Sequence, residues 1–184
     1  MYFLLQYFNL DKRSGKKCFT IGARGIGIAW GDTPRYWIWR SHSDTIFAEV
    51  AELRSVFWLK IWGTIDTRVL SPKTNYAAYL VIQLAENTYR LDHPVDVWID
   101  FVGEVGNVSE TRSVYLEQPS PIPIGIVVPS MRVDGWMEIE LGEFYNDQGE
   151  GEEGEVVMNL FHHDGSSRSG LIVQGIELRP KYKD

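Results

Sequence analysis

The sequence predicts an all-β protein, folded as an antiparallel, jelly-roll-like β-sandwich. Apolar and polar residues alternate with a period of two along about eight short segments, which is typical of half-buried strands. Turn-forming residues separate these segments, and the chain holds 17 Gly and 8 Pro. No segment shows extended helical periodicity. With 184 residues and a hydrophobic fraction of 44%, the chain is long enough to build one core.

The first 17 residues are predicted to be an N-terminal extension of a domain that covers residues 18–184. Their apolar half alternates poorly, and their second half is polar and basic. This composition favours a loosely held arm or an added edge strand. An apolar arm can also cross to a second subunit, so the sequence is compatible with a dimer.

Strands are predicted in order along the rest of the chain. The segment 74–84 should be buried on both faces, and 95–101 should be half exposed. The segment 47–53 is either a short helix or an irregular approach to the next strand. The Pro-rich stretch 118–123 is excluded from any central strand. The predicted strands are 26–30, 56–62, 74–84, 95–101, 112–116, 136–141, 155–161 and 171–178.

The net charge, the cysteine content and the N-terminal segment limit the partners and the cellular compartment that we expect. The net charge of −7 opposes sequence-independent binding of nucleic acids, which needs a positive surface. The single cysteine, Cys18, cannot form an internal disulfide. The N-terminal apolar run precedes its lysines and arginines, which is the wrong order for a signal peptide, and no run reaches transmembrane length. We therefore expect a cytosolic protein without a membrane partner.

The most distinctive stretch is 30–40, which contains Trp30, Tyr36, Trp37 and Trp39 around a Gly-Asp-Thr-Pro turn. Exposed aromatic rings can cover the C–H face of a pyranose while polar neighbours bond its hydroxyls. Trp37 and Trp39 share one face of a strand and Ile38 occupies the other. If the tryptophan face is exposed it forms a sugar-binding platform, whereas if Ile38 is exposed those rings belong to the core.

Other candidate residues are weaker. Trp58 and Trp62 share a strand face with Lys60 and come next as ring candidates, while Trp98 and Trp136 are expected to be structural. The acidic loop 146–154 does not match an EF-hand and is expected to be a solvated loop. Glu155 opens a strand, so its carboxylate could be held rigidly to accept sugar hydroxyls.

Catalysis, cofactors and metals are not expected. Glu138 and Glu140 lie along one strand, and no facing carboxylate partner of the kind that a glycosidase needs can be identified. His162 and His163 are adjacent, so in a strand they point to opposite sides and cannot share one metal ion. Cys18 has no recognisable histidine companion. We expect a binding protein and not an enzyme.

Five segments, taken together, resemble the phloem protein 2 family of plants and the related tobacco-type lectins. The resemblance runs from about residue 18 to residue 180 in the family's order, and we expect no F-box ahead of it. The five segments are AWGDTPRYWIW (29–39), EVAELRSVFWL (49–59), LSPKTNYAAYLV (70–81), DGWMEIELGEF (134–144) and SGLIVQGIELRP (169–180).

The resemblance implies a carbohydrate-binding-module-like fold and a homodimeric, cytosolic lectin of phloem sap, active in defence or the wound response. The implied ligands are β-1,4-linked N-acetylglucosamine oligomers and N-glycosylated proteins. The family's two sugar-binding tryptophans correspond to Trp30 and Trp37, and its first acid corresponds to Glu155. The second acid is replaced here by His162, whose neutral ring can still bond a hydroxyl. A further family tryptophan is replaced by Ser167.

Two other functions stay open at this point. An interaction protein of sieve-tube sap could bind RNA or structural phloem proteins through the basic stretch 12–17, although the acidic net charge argues against RNA. A chitin-cleaving enzyme would need carboxylates that the sequence does not pair.

Overall fold

The computed structural model describes residues 5–102, 110–147 and 154–182. Within these ranges thirteen strands form two antiparallel sheets, joined by turns and two short 3-10 helices, Ala23–Gly25 and Thr67–Val69. The strands are β1 (Gln6–Leu10), β2 (Lys17–Gly22), β3 (Gly27–Ile28), β4 (Trp37–Arg40), β5 (Val50–Leu53), β6 (Leu59–Asp66), β7 (Thr74–Tyr89), β8 (Pro94–Val102), β9 (Arg112–Tyr115), β10 (Ser130–Met131), β11 (Met137–Asn146), β12 (Glu155–His162) and β13 (Ser169–Pro180).

The two sheets face each other across a single main core. The large sheet has the order β1-β2-β13-β7-β11-β10, with β5 also beside β13 and β4 beside β5. The small sheet has the order β3-β6-β12-β8-β9. The predicted all-β sandwich is therefore confirmed. No helix in the described parts of the chain is long and apolar enough to cross a membrane.

Every second side chain of the alternating strands points inward and fills this core. In β8, Val95, Val97 and Ile99 are buried while Asp96 is exposed, as the half-exposed pattern predicts. The same cluster includes buried residues of β6, in the same sheet, and of β11, in the opposite sheet. A second, smaller cluster of Val50, Val81, Trp136 and Ile172 lies apart from the main core, on the outer side of the large sheet. Trp136 is fully buried there, which confirms its expected structural role.

The centre of the large sheet is β13, which changes partner along its length. Ile172 and Val173 pair with β5, whereas residues 175–178 pair with β2. The register shifts between Val173 and Gly175 at this change. A Cβ atom on Gly175 would lie 2.0 Å from the carbonyl oxygen of Ile21, so only glycine allows β2 to approach.

Several predicted boundaries are wrong. The predicted strand 26–30 is reduced to β3, because Trp30 adopts a left-handed backbone and starts a turn. The segment 47–53 contains a strand, β5, and no helix in any of its described residues. Of the two forms predicted for the extension 1–17, a loose arm or an added edge strand, its described part contains the edge strand, because β1 pairs with β2. Most of the acidic loop 146–154 lies outside the described residues.

A buried arginine ties the start of β13 to the neighbouring loop. Arg168 is fully buried. Its guanidinium donates to the carbonyl oxygens of Arg90, His93 and Pro94 at 2.6, 3.0 and 3.1 Å. Burial lowers the pKa of this guanidinium from its ordinary value, and the three carbonyls compensate the buried charge.

Replacing this arginine should destabilise the domain. In Arg168→Met the three carbonyl oxygens lose their donor and stay buried, so the free energy of unfolding should fall by on the order of 3 kcal/mol. Urea unfolding followed by circular dichroism measures the change. Arg54→Met, at an exposed arginine, is the matched control and should unfold at the wild-type midpoint. Equal midpoints for Arg168→Met and the wild type would contradict the bracing role.

Candidate functional site

Trp30 lies in a tight turn that follows β3. The amide of Gly31 donates to the carbonyl of Ile28 at 3.0 Å, and the amide of Thr33 donates to Trp30 at 3.0 Å. Trp30 has φ of 63°, a left-handed conformation that is uncommon for a bulky residue. Its side chain is 59% exposed. The turn therefore holds a large aromatic ring in solvent.

Tyr36 forms the inner neighbour of this ring. The ring centroids of Trp30 and Tyr36 lie 5.9 Å apart with an interplanar angle of 59°. Tyr36 also packs against the edge of the main core, and its carbonyl accepts the amide of Arg54 at 2.8 Å. The exposed ring thus rests on a residue whose position is fixed by the core.

A second group of rings lies at the start of β6. Trp58 is 49% exposed. Its ring contacts Phe161 edge-on, with centroids 5.7 Å apart, and His163 at the same 5.7 Å separation. Phe161 and His163 were not predicted as site residues. The sequence did indicate Trp58 as a secondary candidate, because it shares a predicted strand face with Lys60.

Backbone pairing brings the two groups to one end of the sandwich. Ile28 pairs with Ile61, and the amide of Ala29 donates to the carbonyl of Lys60 at 3.0 Å. The turn at Trp30 consequently lies beside the residues that open β6. We call this surface the aromatic end and define it by Trp30, Tyr36, Trp58, Phe161 and His163.

Trp37 does not belong to that surface. It is 1% exposed, its ring packs in the main core, and its indole N–H donates to the carbonyl of Ala29 at 3.2 Å. Ile38, on the opposite face of β4, is 39% exposed. The structure therefore selects the core orientation of the two that the alternation allowed, and Trp37 has no free face to offer a sugar.

Trp39 is only partly available. Its indole N–H donates to the carbonyl of Gly31 at 2.7 Å, which ties it to the Trp30 turn. The guanidinium of Arg24 lies 3.6 Å from the centre of its ring, and Arg24 also pairs with Glu49 at 2.8 Å. The ring is covered by an anchored cation on that side.

Glu155 and His162 are not brought together. They are the first and last residues of β12, where Glu155 pairs with Asp66 and His162 pairs with Leu59. Seven steps at roughly 3.3 Å each separate them by about 23 Å. The odd spacing also points their side chains to opposite faces. His162 is at the aromatic end, whereas Glu155 is at the other end of the small sheet.

His162 faces a carboxylate at the edge of the aromatic end. Its Nε2 lies 3.0 Å from Asp164, which Arg90 also approaches at 3.2 Å. Burial, and after it the charge of Arg168, lowers the pKa of His162 below its ordinary 6.5. The backbone N–H of Ser166, 2.8 Å away, holds the pKa of Asp164 well below its usual range.

Comparison with known proteins gives the chain a family context. A family model described as Phloem protein 2 matches residues 16–180. The F-box protein PP2-B10 of Arabidopsis thaliana is 42% identical over 174 residues, covering 93% of this chain and 63% of the relative. The F-box protein At2g02240 of the same plant is 40% identical over 179 residues, covering 94% of this chain and 54% of the relative. The chain spans between about half and two thirds of the length of these relatives.

Among solved structures, the CBM22-1 xylan-binding domain of Xyn10C from Paenibacillus barcinonensis is similar with a TM-score of 0.37 and 12% identity. The match covers 100% of this chain and 97% of that domain. At this TM-score the similarity implies nothing about a ligand.

Two tryptophan variants separate core from surface. Trp37→Ala should lower the free energy of unfolding by about 3–5 kcal/mol, because it opens a cavity in the main core. Trp30→Ala, the control, removes an exposed ring and should change it by less than about 0.5 kcal/mol. Urea unfolding measures both. If Trp37→Ala unfolds at the wild-type midpoint, the core position of its ring is wrong.

The half-buried His162 should make the free energy of unfolding depend on pH. Because the folded-state pKa of His162 is lowered, the unfolded chain takes up a proton that the folded chain does not as the pH falls below 6.5. The free energy of unfolding should therefore decrease between about pH 7.5 and about pH 5.5, and less so in His162→Asn. Urea midpoints at both pH values measure this, and an identical pH dependence in the two proteins would contradict it.

Proposed function

The chain belongs to the phloem protein 2 family, and on this premise we propose that it is a lectin for β-1,4-linked N-acetylglucosamine oligomers. Chitin oligomers and the chitobiose core of N-glycans are the proposed ligands. The observation that carries the proposal is the ring of Trp30, which a turn of unusual backbone geometry holds in solvent. We propose that the aromatic end binds the sugar.

The physical argument rests on what an exposed ring can do. Tryptophan left in water forgoes the free energy of burial, roughly 25 cal/mol per Å² of apolar surface. A ring of this size in a strained backbone conformation indicates a role in binding more than in folding. The C–H face of a pyranose is flat and apolar, so it can recover that burial when it stacks on Trp30 or Trp58. Since sugar hydroxyls must leave water, each contact contributes modest affinity.

Polar groups for those hydroxyls border the rings. The exposed guanidinium of Arg35 lies 5.8 Å from the centre of the Tyr36 ring, and the exposed ring of His163 contacts Trp58. Asp164 lies next to His162, and its low pKa keeps the carboxylate ionised and able to accept hydroxyl hydrogen bonds. In this proposal His162 positions the carboxylate of Asp164, which bonds the sugar. Glu155, at the far end of β12, does not contact the sugar.

We propose binding without catalysis. A glycosidase needs one carboxyl group whose pKa is raised so that it can donate a proton to the leaving group. Asp164, which pairs with His162 at the edge of the aromatic end, has its pKa shifted in the opposite direction. This supports a lectin over a chitin-cleaving enzyme.

The setting of the protein belongs to the same proposal. We propose a homodimer in the cytosol of phloem cells that binds N-glycosylated proteins in defence or the wound response. The curated relatives are named F-box proteins, and we propose that the shared domain recognises glycans in them as well. RNA binding is not favoured, because the net charge is −7 and the guanidinium of Arg13, within the basic stretch, stacks 4.1 Å over the ring of Tyr182.

The test is a calorimetric titration with N,N′,N″-triacetylchitotriose. Trp30→Ala should weaken binding at least about fivefold, because stacked aromatic contacts contribute on the order of 1 kcal/mol beyond the buried area. Tyr145→Ala, at an exposed ring of β11, is the matched control and should bind like the wild type. Glu155→Gln should also bind like the wild type. If Trp30→Ala binds with wild-type affinity, the aromatic end is not the binding site. If the wild-type protein does not bind this oligosaccharide, the proposed ligand is wrong.

A further inference from the structure

A groove of about 520 Å³ lies on the outer face of the large sheet, away from the aromatic end. It opens where β13 exchanges β5 for β2 as its partner. We propose that this groove is a second binding site and that it takes a neutral oligosaccharide segment. The proposal rests on the proposed lectin function for the class of ligand, but its evidence comes from different residues.

The groove is built by fixed elements. Tyr7 of β1 and Thr20 of β2 form one side of it, and the loop 43–47 forms another. Phe47 is buried against Gly22, where a Cβ atom would come within 2.6 Å of its ring. The indole N–H of Trp136 donates to the carbonyl of Asp44 at 2.8 Å. The loop is therefore anchored to the sheet at both ends.

Gln174 lines this groove with an unused amide. Its side chain is 8% exposed, and it forms no hydrogen bond with any other residue in the described ranges. It stands between the last β13 residue that pairs with β5 and the first that pairs with β2. The amide faces the groove with its donor and acceptor groups free of partners among the described residues, so a ligand with matching groups can bond to it directly.

The charges beside Gln174 favour a neutral, hydroxyl-rich ligand. Glu177 lies 2.8 Å from Arg132, and Asp134 lies 3.2 Å from the same guanidinium. Arg132 bonds both carboxylates, and Arg179 also bonds Glu177 at 3.3 Å. Each carboxylate oxygen has more than one acceptor position, so a ligand hydroxyl can still donate to it. Asp44 adds a further carboxylate, so an anionic ligand is repelled. Because two of the three carboxylates already share a cation, a sugar fits better than a basic peptide.

The groove also offers apolar surface to a sugar ring. Tyr7 and Ile46 line it and are both exposed. Its volume lies within the range of roughly 300–1,000 Å³ that is typical of small-ligand sites. A phenol ring, an amide and paired carboxylates together match the apolar face, the acetamido group and the hydroxyls of an N-acetylglucosamine unit.

The experiment follows each site separately by NMR. The full chain, labelled with ¹⁵N, is titrated with N,N′,N″-triacetylchitotriose. The amide signals of Thr20 and Gln174 report the groove, and the indole signal of Trp30 reports the aromatic end. Both sets should shift and saturate. In Gln174→Leu the shift at Thr20 should require at least tenfold more sugar, while the Trp30 shift stays as in the wild type.

Stability provides the control for this variant. Leucine fills about the same space and the variant loses no hydrogen bond within the described residues, so Gln174→Leu should keep the wild-type Tm. Asn9→Ala, on the exposed edge strand, is the second variant and should weaken the groove in the same way without disturbing the core. Wild-type groove shifts in both variants would overturn the proposal.

The remaining outcomes distinguish the two sites. Shifts at Trp30 with static groove signals would overturn the groove and keep the lectin function. Shifts at Thr20 and Gln174 with a static Trp30 would keep the groove and overturn the aromatic end, and static signals at both would overturn both. If penta-lysine shifts the groove signals and the sugar does not, the groove is a peptide site and the sugar assignment is wrong.

Discussion

The close approach of two backbones at Gly175 is the constraint on which the large sheet depends. A side chain there would collide with the carbonyl oxygen of Ile21, so β2 can lie beside β13 only because the residue is glycine. This approach lets β13 pair with β7 on one side and with β5 and then β2 on the other. The absence of a side chain at this position thus permits the change of strand partner beside which the groove opens.

Much of the fold could be predicted from the sequence because strand alternation is a local property. The alternation of β8 gave its buried and exposed residues correctly, and Trp136 was correctly expected to be structural. The fate of the tryptophans in 30–40 could not be predicted in the same way. Alternation shows that Trp37 and Ile38 face opposite sides, but the choice of side depends on which sheet β4 joins, a long-range contact with β5.

The candidate site shows the same limit more sharply. Glu155 and His162 are seven residues apart, and the family resemblance pairs them with the tryptophans. In an extended strand that spacing places them at opposite ends and on opposite faces. Trp58 and His163, which contact each other, are more than a hundred residues apart in the sequence. The pairing of β6 with β12 and the bridge between Val56 and Arg168 bring them together. The pair that is close in the sequence is therefore far apart in space, and the pair that is distant in the sequence is in contact.

If both proposed sites bind sugar, a single chain could bind a glycan at two points, and avidity would not require a dimer. Shallow sites bind weakly, and a lectin with one site per subunit gains avidity only by assembling subunits. The aromatic end lies at one end of the small sheet, whereas the groove lies on the outer face of the large sheet. These surfaces face different directions, so a short oligosaccharide cannot occupy both, but two chains of a branched or polymeric glycan can. A single subunit could then cross-link two glycan chains, and a dimer would raise the number of sites from two to four.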